Sequence, residues 1–515
     1  MTSRSRPNQT GLPAGAAASP DSLRLEAGWT VTRSAAGQFH DPTQLPDVGE
    51  WHDVMVPGTV AEAVGPERLD AHEPYDASDW WYRCRVPAPP GAASSHRVQL
   101  RFDGLATLAD VWFNGTHVLR SENMFLVHEV DVTDLVTADN EITIVFRSLD
   151  AALSERHPRP RWKTNLVSQQ KLRWYRTTLL GRMPGWTPAL QPVGPWRPVW
   201  LEVVSGPDLI ALDVRSALEG ERGTVVVEAV VAVRGDGPLT GTVTVGDTTS
   251  PVQVTREGAL CTLSSRVEIE RPDLWWPHTH GDPNLYPVRL TLSMPDGEVT
   301  FACGEVGFRT VAIDQTDGKV QFVVNGVAVF CRGACWTTND IVSLGGSTDA
   351  LRETLRRTAD CNANMVRVGG TMVYESDAFY RECDRLGLMV WQDFMFANMD
   401  YPFDDPDFRS GAEDEVAQQL LRLGRHASVV AFCGGSETEQ QAAMFGAPRE
   451  IWQHPFLSDH LLAFDSHRWK SSVPCRQWAG ALLRRGCLPT AARRRAVGGR
   501  EIHPGVPRVL EHPRA

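Results

Sequence analysis

The sequence predicts two β-sandwiches followed by a parallel α/β sheet, on three observations. From about Leu23 to Val204 short alternating apolar runs stand between turn signals, and from Ile210 to Ile313 the rhythm continues with longer strands. After about Val320 strand and helix patterns take turns four times. Four βα units in a row require a parallel sheet, either doubly wound or the first half of a (β/α)8 barrel. The expected divisions are a disordered leader at 1–20, a first sandwich at 21–205, a second at 206–315, the α/β region at 316–467 and an aberrant tail at 468–515.

In the first sandwich Arg97 to Leu100 and Glu141 to Phe146 alternate, and Ala109 to Leu119 reads as two strands around an Asn114-Gly115 hairpin turn. The segment Arg156 to Pro198 breaks the rhythm, with Arg173, Trp174, Tyr175, Arg176, Trp186 and Trp196 among prolines and glycines. Such a loop either lines a ligand pocket or packs across the sandwich. The second β region has the size of a seven-stranded immunoglobulin-type sandwich, with Gly223 to Val231 and Leu290 to Ser293 its clearest strands. His278 and His280 have metal-like spacing, but no second ligand pair follows, so no metal site is expected.

In the α/β region Val327 to Cys331 reads as the first strand, Asn364 to Val368 as the second, Leu388 to Asp393 as the third and Val429 to Cys433 as the fourth. Leu351 and Leu355 mark a helix capped from Ser347, Thr348 or Asp349. Ser376 caps a second helix that carries Phe379, Cys383 and Leu386 on one face and closes at Gly387. Val416, Leu420 and Leu423 mark a third.

Polar groups gather where these strands end: Arg332 and Trp336, Arg367, Gln392 and Asp393, and Glu437. The last stands out, because the apolar run Val429 to Cys433 breaks at Gly434-Gly435 and delivers a carboxyl group to a strand terminus. In a barrel all such ends share the face that carries active sites. For Arg367 and Asp393 the structural alternative is a salt bridge or strand-end hydrogen bond, and Glu439 reads as a solvated charge.

Composition narrows the function. The 515 residues are 42% hydrophobic and 22% charged, ordinary globular values. A formal charge of −12 argues against a nucleic-acid partner. No apolar run of membrane-spanning length occurs, so no membrane partner is expected. The ten cysteines show no secreted framework spacing and residues 1–20 lack a signal-peptide core, which fits a cytoplasmic protein. The seventeen tryptophans suit stacked sugar faces or a β-sandwich core equally.

Asp273-Leu-Trp-Trp-Pro277, Gly307-Phe-Arg309, Asn325-Gly326 ahead of Arg332-Gly-Ala-Cys-Trp336, Asn364-Met-Val-Arg367, Tyr374 to Tyr380 and Val390-Trp-Gln-Asp-Phe394 together resemble glycoside hydrolase family 2, nearest its β-mannosidase-like branch. The likeness runs from about Leu23 to Asp465. It implies a jelly-roll sandwich, an immunoglobulin-like sandwich and the first half of a (β/α)8 TIM barrel. It also implies a retaining exo-β-glycosidase acting on a carbohydrate with no cofactor. Glu437 corresponds to the acid/base, with Arg367, Asp393, Trp336 and Ser436 as substrate-binding residues. The chain departs from the pattern at Gly369, where a Trp is expected, at Ser436, where an Asn is usual, and at Gly185-Trp-Thr-Pro188, which lacks the Asp of the mannosidase loop. Mannose specificity is therefore not implied.

Past Trp469 arginines such as Arg484, Arg485, Arg493, Arg494 and Arg495 face only Glu501 and Glu511, and periodicity is lost. The resemblance implies a continuation close to Val-Pro-Ser-Ser-Pro followed by glycines, and removing one base from codons for Ser-Ser-Pro-Val-Gly yields Cys-Arg-Gln-Trp-Ala, which are residues 475–479. A frame shift after Pro474 is the expectation, with the nucleophile absent, the chain inactive and the α/β region loose with unpaired edges. A carbohydrate-binding remnant without catalysis is the alternative.

Overall fold

The computed structural model describes residues 23–463 apart from 47–49, 66–73, 93–96, 205, 234, 315, 317–319 and 453–460. The expected leader at 1–20 and the tail at 468–515 lie outside the described residues.

The first sandwich packs a six-stranded antiparallel sheet on a four-stranded one. Ser78–Pro87 and Asp139–Phe146 run through the middle of the larger sheet, Arg97–Phe102 and Val199–Val204 through the smaller. Leu100, Phe102, Val111, Phe113, Ile142, Ile144 and Leu201 alternate inward to form the core. Asn114 and Gly115, at φ 50° and 78°, make the predicted turn, whose right-handed twist needs positive φ at both positions.

The second sandwich has two four-stranded sheets. Thr248–Pro251 and Gln253–Glu257, separated by Val252 alone, pair in different sheets, so one run crosses from one to the other. That crossing reconciles eight sheet members with the seven strands expected. His278 Nε2 meets the Ala363 carbonyl at 2.7 Å and His280 Nδ1 the Thr279 hydroxyl at 2.8 Å.

One strand assignment is corrected. Val327–Val329 pairs antiparallel with Gln321–Val324 in a three-stranded sheet, because Asn325 and Gly326, at φ 50° and 80°, close a hairpin. The first parallel strand is Gly333–Trp336, so Arg332 precedes it rather than following it. Met365–Val368, Met389–Asp393 and Val429–Cys433 follow in order, each parallel to its predecessor. The outer edge of the fourth strand, expected to be unpaired, carries Leu461–Ala463 in antiparallel register.

Helices Thr348–Asp360, Asp377–Leu386 and Pro406–Leu423 connect the strands. Ser347 caps the first by accepting from the Ala350 amide at 3.1 Å, and Gly387, at φ 64° and ψ 33°, ends the second in the left-handed region. Ser376 is the N-cap of the second without a side-chain capping bond. Leu351, Leu355, Phe379, Cys383, Val416 and Leu423 bury against Val366, Val368, Val390 and Phe432 in one continuous core, worth about 1.5–3 kcal/mol for each large side chain. The region expected to be loose is therefore packed up to Cys433. Arg309 grips the start of the fourth strand, its Nη2 donating to the Val429 carbonyl at 2.7 Å and its Nε to that of Ala427.

The loop from Arg156 to Pro198 docks the first sandwich onto the α/β region. Arg161 pairs with Asp400 at 2.6 Å, Arg176 with Glu415 at 2.7 Å, and Arg173 donates to the Asp400 carbonyl. Trp196 is buried and its indole N–H donates to the Met124 carbonyl at 2.9 Å, while Trp186 remains 56% exposed.

Candidate active site

The site forms where the parallel strands end. Side chains at alternate positions along a strand share a face, so Cys335, Arg367, Trp391, Asp393 and Cys433 stand on the face away from the helices. Arg367 Nη2 donates to Asp393 Oδ2 at 2.7 Å and to Ser436 Oγ at 3.3 Å. The Trp391 indole donates to Asp393 Oδ1 at 2.8 Å, and the Gly370 amide reaches Oδ2 at 3.3 Å. The Trp391 ring lies 5.2 Å from the guanidinium carbon of Arg367, in cation–π range.

Burial sets the electrostatics. Asp393 is fully buried, and desolvation raises its pKa against the opposing pull of Arg367 and of its hydrogen bonds to Ser436 and Trp391. Burial also works against the Arg367 charge, but Asp393 outweighs it and holds the guanidinium above its usual value. Arg367 Nε has no partner among the described residues. The two form a fixed guanidinium–carboxylate ion pair with one buried N–H left unsatisfied among the described residues.

Glu437 follows this cluster directly. Its backbone is left-handed, φ 58° and ψ 18°, at the N-cap of helix Thr438–Met444. Its side chain caps nothing and is half-buried, so the carboxyl is unengaged among the described residues. A non-glycine residue in this region stores about 1 kcal/mol or more of backbone strain, and such residues gather at functional sites. The turn is held from the neighbouring strand end: the Ser436 amide donates to the Phe396 carbonyl at 2.8 Å and the Asn398 amide to the Ser436 carbonyl at 3.1 Å.

The five residues singled out from the sequence thus divide. Arg367, Asp393 and Ser436 form one hydrogen-bonded cluster next to Glu437. Trp336 does not join it: the ring packs 5.1 Å from Phe379, and the indole donates to Glu375 Oε1 at 2.9 Å on the helix side of the sheet. Asp393 has both oxygens in use, so it positions Arg367 rather than presenting itself. Glu439 is buried, not solvated.

Sequence reasoning missed Asn398, which is buried at φ 60° with its Oδ1 unpartnered among the described residues, and Trp391, whose offset of two from Asp393 was the available signal. Around Gly369 nothing lies within 4 Å of where a Cβ would stand. At Gly370 a Cβ would sit 2.7 Å from the Phe394 carbonyl and 2.8 Å from Ser436 Cβ.

Comparison with known proteins bears on the family and the fold. Residues 29–197 match the glycosyl hydrolase 2 galactose-binding domain-like family model, and residues 210–309 match glycosyl hydrolases family 2. The fold and these matches define a glycoside hydrolase architecture. The chain belongs to glycoside hydrolase family 2, and within it is β-mannosidase-like. It is 30% identical over 450 residues to β-mannosidase B of Emericella nidulans, covering 83% of this chain and 50% of that one. To β-mannosidase B of Thermothelomyces thermophilus it is 33% identical over 453 residues, covering 84% and 50%. The crystal structure of β-D-mannosidase from Dictyoglomus thermophilum superposes with a TM-score of 0.72 at 26% identity, over 84% of this chain and 54% of that one. The exo-chitosanase of Amycolatopsis orientalis shares the fold, with a TM-score of 0.61 at 20% identity. The chain spans about half the length of the curated relatives it matches.

Proposed function

We propose that this chain carries the acid/base half of a retaining exo-β-glycosidase site for terminal β-linked sugars, on the first four strands of a (β/α)8 barrel. The observation that carries the reading is Glu437, strained and, among the described residues, unengaged just past the end of the fourth parallel strand and next to the Arg367–Asp393–Ser436 cluster. Glu437 protonates the glycosidic oxygen as the bond to the anomeric carbon breaks, and later takes a proton from the water that releases the sugar. Arg367 binds a sugar hydroxyl through its outer N–H groups, with Asp393 and Ser436 fixing its plane. The space at Gly369 and the absence of an Asp in the Gly185–Pro188 loop favour a sugar other than mannose or one with a bulkier substituent.

A retaining reaction also needs a carboxylate about 5–5.5 Å from the acid to form the glycosyl-enzyme. Among the described strand-end carboxylates, Asp393 is committed to Arg367 and Glu375 to Trp336. That commitment favours a second reading, in which the 515-residue chain binds carbohydrate without turning it over. Incubation with a panel of nitrophenyl β-glycosides, paired with calorimetric titration of the free sugars, separates the two. Nitrophenol release that is lost in Glu437→Gln supports the glycosidase reading for this chain. Saturable sugar binding without release supports the second, and neither release nor binding overturns both.

A further inference from the structure

We propose that Arg176, from the first sandwich, is a positioning residue for Glu437, acting through the segment Met395–Asn398. The inference rests on the reading of Glu437 as the acid/base. Arg176 is buried and bidentate: Nε donates to Glu415 Oε2 at 2.8 Å and Nη2 to Oε1 at 2.7 Å. Nη2 also donates to the Met395 carbonyl at 2.8 Å. The Tyr374 hydroxyl donates to Glu415 Oε1 at 2.9 Å while accepting from the Met395 amide at 3.2 Å. Both polar groups of Met395 are therefore held by one network centred on Glu415, which is entirely buried.

The next residue passes this constraint on. The Phe396 ring lies 3.7 Å from the Arg176 guanidinium carbon. The Phe396 carbonyl accepts from the Ser436 amide at 2.8 Å and from the Thr438 hydroxyl at 3.4 Å, one residue on either side of Glu437. Asn398 closes the ladder on the Ser436 carbonyl. A left-handed glutamate relaxes unless its flanking peptides are fixed. Here the fixed point of that chain of bonds is an arginine in another domain. Charge alone does not explain the arrangement, because the Met395 bond uses the guanidinium fork, which a lysine lacks.

The test is hydrogen exchange of the full chain, followed by mass spectrometry, on wild type, Arg176→Gln, Arg176→Lys and, as a control in the same sandwich, Arg147→Gln. The expected result is exchange at least about tenfold faster in peptides holding Ser436 and Asn398 in Arg176→Gln, with Ser78–Pro87 unchanged and Arg176→Lys intermediate. Unchanged protection at Ser436, or loss spread evenly through the sandwich, overturns the proposal. Where the wild type turns over aryl glycosides, Arg176→Gln slows a phenyl glycoside at least about tenfold more than a dinitrophenyl one. The dinitrophenolate leaves without a proton, so equal losses also overturn it. Where the wild type turns over neither, the glycosidase reading of the chain fails and the exchange result still decides the relay.

Discussion

Glu437 was legible from the sequence because an apolar strand broken by two glycines has few uses for the carboxyl that follows. The conformation that sets it apart was not legible, since φ of 58° arises from hydrogen bonds to a segment forty residues upstream. Replacing it tests strain directly: Glu437→Gly is expected to raise unfolding free energy by about 1 kcal/mol in a denaturant titration, by removing the left-handed penalty. Glu439 was misread as solvated because the helix Thr438–Met444 was not anticipated from the sequence. It is the second residue of a helix, whose rotation of about 100° per residue turns it inward. The neighbouring glycines diverge in the same way. Gly370→Ala must displace the Phe394 carbonyl and is expected to destabilise by about 1–3 kcal/mol. Gly369→Ala enters open space and is expected to stay within about 0.5 kcal/mol, measured in the same titration.

At the level of elements, helices read from their apolar period and caps held up well, as did the second, third and fourth parallel strands. The first failed because Val327–Val329 and Gly333–Trp336 are both short, and only the positive φ of Asn325 and Gly326 assigns the former to a hairpin. The real first strand begins at a glycine for a steric reason. A Cβ on Gly333 would fall 1.7 Å from the Met365 carbonyl oxygen, so the two strands pair only without it. Gly333→Ala is expected to cost about 3 kcal/mol and to detach that strand while the sandwiches stay folded. Loss of the α/β signal in hydrogen exchange, with the sandwich signals retained, is the readout.

Across the whole molecule the sequence marked two sandwiches and an α/β region but not their coupling, because Arg176 and Glu415 lie 239 residues apart and Arg176 reads only as part of a loop that lines a pocket or packs across its own sandwich. Glu415→Gln leaves a buried guanidinium without its counter-charge and is expected to destabilise by about 3–5 kcal/mol in thermal or denaturant unfolding. A second prediction concerns acid. Burial lowers the pKa of His128 to about 4 from its ordinary 6.5, so its stability contribution is complete above 6.5 and lost as pH falls through 4. That contribution is on the order of 3 kcal/mol. Adjacent Glu129 is raised by burial to about 7, against Arg101, so its contribution is complete below 4.5 and lost as pH rises through 7. The two slopes oppose each other between 4.5 and 6.5. Glu129→Gln should therefore make Tm climb more steeply with pH across that window, and His128→Asn should make it fall.

The Arg176–Glu415 link also bears on how the molecule is made. At about 5–20 residues per second the ribosome delivers Arg176 roughly 10–50 s before Glu415. The first sandwich has that interval to fold, and it then offers Asn123, Phe125 and Arg176 as a finished template when Glu415 emerges. Gene order matters here as much as geometry. A permuted gene that encodes the α/β region first would leave Glu415 without its counter-charge while that region folds, and its yield of soluble chain should fall even though every contact in the finished fold is the same.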